Sequence, residues 1–135
     1  WVLGLGVRTG NLDRTCGKFR QMKEKNMSTL FMVKSDAVDG REDEYNTWYN
    51  EVHLPEVLQI EGFQAAQRFA LNEQQVQKSQ THGYLAIYEI DTHNVALTLQ
   101  NLQHATWLNM SDAIDQRRVD ISVFNAVTEK MVSAS

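Results

Sequence analysis

Between Thr29 and Val127 the apolar residues switch repeatedly between a period of about two residues and one of about 3.6. That succession leaves few architectures open. Ser28-Thr29-Leu30-Phe31-Met32-Val33-Lys34 contains a short apolar run that reads as a buried strand, ended by the turn residues from Asp36 to Gly40. From Glu42, Tyr45, Trp48, Tyr49 and Val52 recur at helical spacing, and Glu42, Asp43 and Glu44 fill a first turn where the helix dipole favours negative charge. Pro55 disfavours helical geometry at Leu54, so this helix is predicted to stop or kink near His53. A short second piece from Pro55 to Gln59 follows.

Gly62 ends that piece, and Phe63 to Leu71 alternates as a second strand. Its predicted partner is Gly83 to Ile90, with Tyr84, Ala86, Tyr88 and Ile90 on one side and Leu85, Ile87 and Glu89 on the other. The Gln-rich connection between them reads as an exposed loop rather than a site. A helix is expected over His93 to Leu102, a shorter helical segment over His104 to Ala113, and a last strand over Val119 to Val127. The order β-α-β-β-α-β gives an α+β, ferredoxin-like fold, a four-stranded antiparallel sheet with both helices on one face. Strand positions on the other face are apolar too, and a bare apolar face is a liability unless it is covered. A face-to-face homodimer is therefore expected.

At 135 residues the chain holds one domain. Its 42% apolar and 22% charged residues are ordinary globular values. The apolar runs are too short to cross a bilayer and the opening segment is too short for a secretory signal, so no membrane partner and a cytoplasmic location are expected. Lone Cys16 fits a reducing compartment. Charge divides unevenly: residues 1–26 carry six Lys or Arg against Asp13 and Glu24, a net of +4, which leaves −8 on the rest of a chain whose total is −4. Because a strand follows Met27 at once, residues 1–26 are read as upstream or vector-derived sequence and residues 27–135 as the domain. The domain's acidity and its lack of a helix-turn-helix argue against nucleic acid.

The segment from Glu44 to Val57, with Trp48-Tyr49 and then His53, followed by Ile60-Glu61-Gly62-Phe63 and Arg68-Phe69, resembles the EthD-like family. That family is named for a protein of ethyl tert-butyl ether degradation and belongs to the dimeric α/β barrel superfamily. The resemblance covers most of residues 28–128 and implies a dimeric α/β barrel. Its implications for reaction are broad, since the superfamily includes cofactor-free monooxygenases, cyclases, isomerases and haem-handling enzymes, and fold does not select among them.

His53 is the expected catalytic residue, a neutral imidazole able to exchange a proton near pH 7 beside an aromatic-lined cleft. The plainer account makes it a capping histidine at a helix C-terminus. Trp48, Tyr49, Tyr88 and Trp107 are expected to line the substrate cleft together with Arg68, whose guanidinium suits a carboxylate or enolate. Core packing for the rings and a surface ion pair for Arg68 are the ordinary alternatives. His82, His93 and His104 are scattered and His53-Leu54-Pro55-Glu56 carries a proline, so no metal is expected. Gly4 to Gly10 has the wrong spacing for a dinucleotide fingerprint, and no organic cofactor is expected. The expected partner is a small, partly apolar carbonyl or aromatic compound, turned over by an enzyme or catabolic accessory protein. A non-catalytic ligand-binding or sensing homodimer is the alternative.

Overall fold

Thr29, Phe31, Val33 and Ser35 are buried while Leu30, Met32 and Lys34 between them are not, so strand β1 (Thr29–Ser35) presents two different faces. The computed structural model describes residues 27–134; the extension assigned to residues 1–26 lies outside them. The chain then forms helix α1 (Glu42–Trp48), a π-helical turn (Tyr49–His53), the short helix α2 (Leu54–Val57), strands β2 (Phe63–Ala70) and β3 (Tyr84–Ile90), helix α3 (Val95–Gln103), a 3-10 turn (Gln116–Arg118) and strand β4 (Asp120–Asn125).

The strands lie in the order β2-β3-β1-β4 with every neighbouring pair antiparallel. This is the ferredoxin-like α+β arrangement that the sequence predicts. Register fixes the faces, because paired residues point the same way. Phe31 pairs with Tyr88 and Val123, and Val33 with Ala86 and Ile121, on the side that carries the helices. There Phe31, Val33, Phe63, Ala86, Tyr88 and Ile90 join Tyr45, Trp48, Tyr49, Val57 and Leu102 in one buried cluster. The opposite face is built of three rows: Ala65, Glu89, Leu30 and Phe124; Gln67, Ile87, Met32 and Ser122; Phe69, Leu85, Lys34 and Asp120. No described helix covers it.

Two elements depart from the sequence reading. The first helix does not stop at His53, since Trp48, His53, Leu54 and Leu58 all keep right-handed helical dihedrals. Instead the Leu54 amide reaches back five residues to the Tyr49 carbonyl, and this wider turn accommodates Pro55, which has no amide hydrogen to give. The segment His104 to Ala113 forms turns rather than a helix. Its backbone is engaged by distant side chains: the Asn109 amide donates to Glu56 Oε1 at 2.8 Å, and the Asn109 carbonyl accepts from Trp48 Nε1 at 2.7 Å. Those bonds replace the helical ones that the segment would otherwise need.

Gly62 joins the two halves of the fold. Its φ of +105° suits only glycine, and a Cβ there would sit 2.1 Å from Thr98 Oγ1 on α3. Gly40 has a φ of +80° but open space around it. Gly40→Ala should therefore cost about 1 kcal/mol, the backbone strain alone. Gly62→Ala should cost roughly 3 kcal/mol or more, strain and overpacking together. Urea unfolding of both variants checks this, and equal losses would refute the close approach to α3.

Candidate functional site

Of the residues singled out from sequence, Trp48, Tyr49 and His53 converge because of the π-helical turn. Residues five apart do not stack in an α-helix, but the wider turn brings the His53 ring beneath Trp48, with centroids 4.6 Å apart and planes 25° apart. Tyr49 meets the same imidazole edge-on at 5.2 Å. His53 is 1% exposed. Burial in this apolar box pushes its pKa down to about 4, against a smaller opposing pull from the Glu56 carboxylate. The imidazole is thus neutral at pH 7, buried in the middle of a helical rod rather than charged at its end.

Arg68, on the helix-facing side of β2, lies among three tyrosine rings, its guanidinium carbon 4.3 Å from the centroid of Tyr49, 5.2 Å from Tyr45 and 5.3 Å from Tyr84. Its Nη1 donates to Asn50 Oδ1 at 2.6 Å and its Nη2 to Asn46 Oδ1 at 3.0 Å. The ion pair expected as the ordinary alternative is replaced by neutral amide acceptors and ring faces. Beneath lies a layer of tyrosine hydroxyls. Tyr45 shares a 2.6 Å hydrogen bond with Ser35 Oγ, and the buried Tyr88 hydroxyl lies near that of Tyr49 without a well-formed hydrogen bond. Burial raises Tyr49 to about 12 and Tyr88 well above the ordinary phenol value, so both remain protonated. Trp107 stands apart from these rings, 49% exposed on the loop after α3.

A separate hollow lies at the other side of the sheet. The thirteen residues from Leu71 to Gly83 join β2 to β3, and such length in a hairpin connection is unusual. The loop is closed at its neck by the Leu71 amide on the Gly83 carbonyl at 2.8 Å. Asp36 Oδ1 accepts from the Gly83 amide at 2.7 Å while Arg118 Nη2 lies 3.2 Å from Asp36 Oδ2 and donates to the Thr81 carbonyl at 2.6 Å. So held, the loop walls a cavity of about 310 Å³ whose floor is Phe69, Leu71 and Leu85 and whose polar lining includes Lys34, Gln75 and His82. Phe69, Leu85 and Lys34 form the last row of the open sheet face. A shallower hollow of about 240 Å³ continues along that face over Leu30, Ala65 and Ile87.

Sequence reasoning missed this cavity because it dismissed the Gln-rich segment by composition. The length of the loop, together with the alternation that sends Phe69 and Leu85 to the open face, was the available signal. Among the described residues there is no group of three His, Cys, Asp or Glu able to hold a metal, and no helix long and apolar enough to cross a membrane.

A family model described as a domain of unknown function, DUF4286, matches residues 28–116. None of the curated proteins matches the chain. Among solved structures, HapK from Hahella chejuensis is similar at 11% identity, over 81% of this chain and 98% of that one, with a TM-score of 0.41. Neither match carries the EthD-like name; agreement with that resemblance is at the level of the α+β fold formed by this chain's own elements.

Because the folded-state pKa of His53 lies below its unfolded value, the unfolded chain binds the extra proton between the two values and stability falls as pH drops. From the ordinary 6.5 and the folded value of about 4, the loss attributable to His53 is about 2 kcal/mol by pH 5 and about 3 kcal/mol at still lower pH. Denaturant unfolding from pH 7.5 to pH 4 should show this slope, and His53→Met should remove it. In the second cluster, Arg68→Met keeps the aliphatic stem but loses the amide bonds and ring contacts, and should cost about 1–3 kcal/mol. An unchanged unfolding midpoint would show that the tyrosine box does not need the cation.

Proposed function

We propose that this chain, which belongs to the DUF4286 family of domains of unknown function, is a homodimeric binding protein for a small, partly apolar organic molecule. The observation that carries this reading is the open sheet face, where Leu30, Met32, Ala65, Phe69, Leu85, Ile87 and Phe124 all point away from the helices. A second copy is the occupant best suited to it, because each sheet offers the same two-sided need for cover and a twofold arrangement meets both at once. In such a dimer the partner sheet roofs the cavity beneath the Leu71–Gly83 loop. Its volume of about 310 Å³ fits a small ligand.

The enzymatic reading, with His53 as acid or base, is the second proposal. A neutral imidazole between Trp48 and Tyr49 favours it. Against it, a substrate would have to reach a side chain that is 1% exposed. Of the roles that the EthD-like resemblance implies, an accessory protein of small-molecule catabolism agrees better with a binding cavity remote from that histidine.

Ile87 stands at the centre of the open face, so Ile87→Glu should convert a dimer into a folded monomer. Sedimentation equilibrium at micromolar concentration, with circular dichroism to confirm the fold, makes the comparison. A wild-type chain that sediments as a monomer would sink the proposal.

A further inference from the structure

We propose that the cavity under the Leu71–Gly83 loop selects anions, specifically a small carboxylate with an apolar body. This deepens the binding role proposed above and rests on it. Twelve residues line the cavity, and none is Asp or Glu. Lys34 is the one full cation among them and His82 the one imidazole, in a domain whose remaining charge is strongly acidic. A carboxylate-free lining in such a chain makes the cavity the local exception to the surrounding field.

The lining also divides by chemistry. Phe69, Leu71 and Leu85 give an apolar floor for a hydrocarbon body. Lys34 lines the same cavity, from the same sheet row as Phe69 and Leu85. A carboxylate brought against apolar side chains loses hydration, which is tolerable only where a cation and hydrogen-bond donors replace the water. Gln75 and Gln80 each use one amide nitrogen on a loop carbonyl, at 2.9 Å in both cases, and that nitrogen keeps a second hydrogen to donate.

Two carboxylates border the lining: Asp36, which accepts from the Gly83 amide and is paired with Arg118, and Asp120, which faces the cation. Asp120 is opposite Lys34 in register and 3.9 Å from His82 Nε2. Its side chain is 72% exposed and outside the lining, so this is a solvated neighbour whose attraction for Lys34 is weak. His82 is otherwise oriented by Thr81, whose Oγ1 is 2.7 Å from Nδ1.

Titration calorimetry of the whole chain with octanoate, octanol and octylamine tests the inference, each probe having the same hydrocarbon body and a different head. Octanoate should bind at least about tenfold more tightly than octanol, the scale of one charge-assisted bond. Lys34→Met, at an exposed strand position, should bring octanoate down to the octanol level and leave octanol within about twofold. Octanol binding as tightly as octanoate, or an unchanged octanoate affinity in Lys34→Met, would overturn anion selection while leaving the cavity as a binding site. A preference for octylamine would overturn it in favour of a cation. No binding by any probe would overturn both the selectivity and the binding role on which it rests.

Discussion

Strands β1 and β3 carry apolar side chains on both faces, and the rest of the molecule answers to that constraint. On one face the answer is complete within the chain. Phe31, Phe63 and Tyr88 meet edge-to-face at centroid distances of 5.6–5.8 Å, and the aromatic stripe of α1 closes over them. On the other face Leu30, Met32, Leu85 and Ile87 are only half-buried, while Phe69 and Phe124 are 41% and 56% exposed. One helix layer covers one face of a sheet, so among the described residues the other face stays open, which is why a second copy is proposed to cover it.

The covered face explains why the residues with the most evident chemistry are also the best packed. Arg68 crosses from edge strand β2 to the helix and ties Asn46 and Asn50 to the sheet through the tyrosine rings. A half-buried guanidinium without a carboxylate is tolerable here because ring faces and amide oxygens supply diffuse negative potential at several points. The same packing keeps His53 neutral and the phenols of Tyr49 and Tyr88 protonated. Groups held this way can donate hydrogen bonds, but they are costly to charge. The arrangement favours rigidity of the helix-sheet contact over proton traffic.

Much of this was legible in the sequence because alternation and helical spacing are properties of local chain geometry. The faces of β3 follow directly from Tyr84 to Ile90, and the amphipathic start of α1 from Tyr45, Trp48 and Tyr49. What escaped depends on contacts between residues far apart. The π-helical turn needs Pro55 and the stack of Trp48 on His53 at once, so a rule that ends helices before proline misplaces the boundary. The segment from His104 has helical composition, yet Glu56 and Trp48 capture its backbone at Asn109. The cavity was hidden for a similar reason: its floor comes from β2 and β3, its cation from β1, and its wall from a loop whose polar composition reads as solvent-exposed.

Phe69 and Leu85 belong both to the cavity floor and to the open face, and this sharing has a thermodynamic consequence for the proposed dimer. A ligand body resting on those side chains shields the apolar surface that a second sheet would cover, while a second sheet shields the ligand from water. Each event changes the area left for the other to bury, so ligand affinity and self-association are linked and must change each other by the same factor. The sign depends on fit. A ligand small enough to stay within the loop wall adds contact across the interface and tightens the dimer, whereas one that protrudes past Phe69 holds the sheets apart. With a hollow of about 310 Å³, the boundary between those cases falls among small molecules, and the cavity would meter ligand size through the association state of the chain.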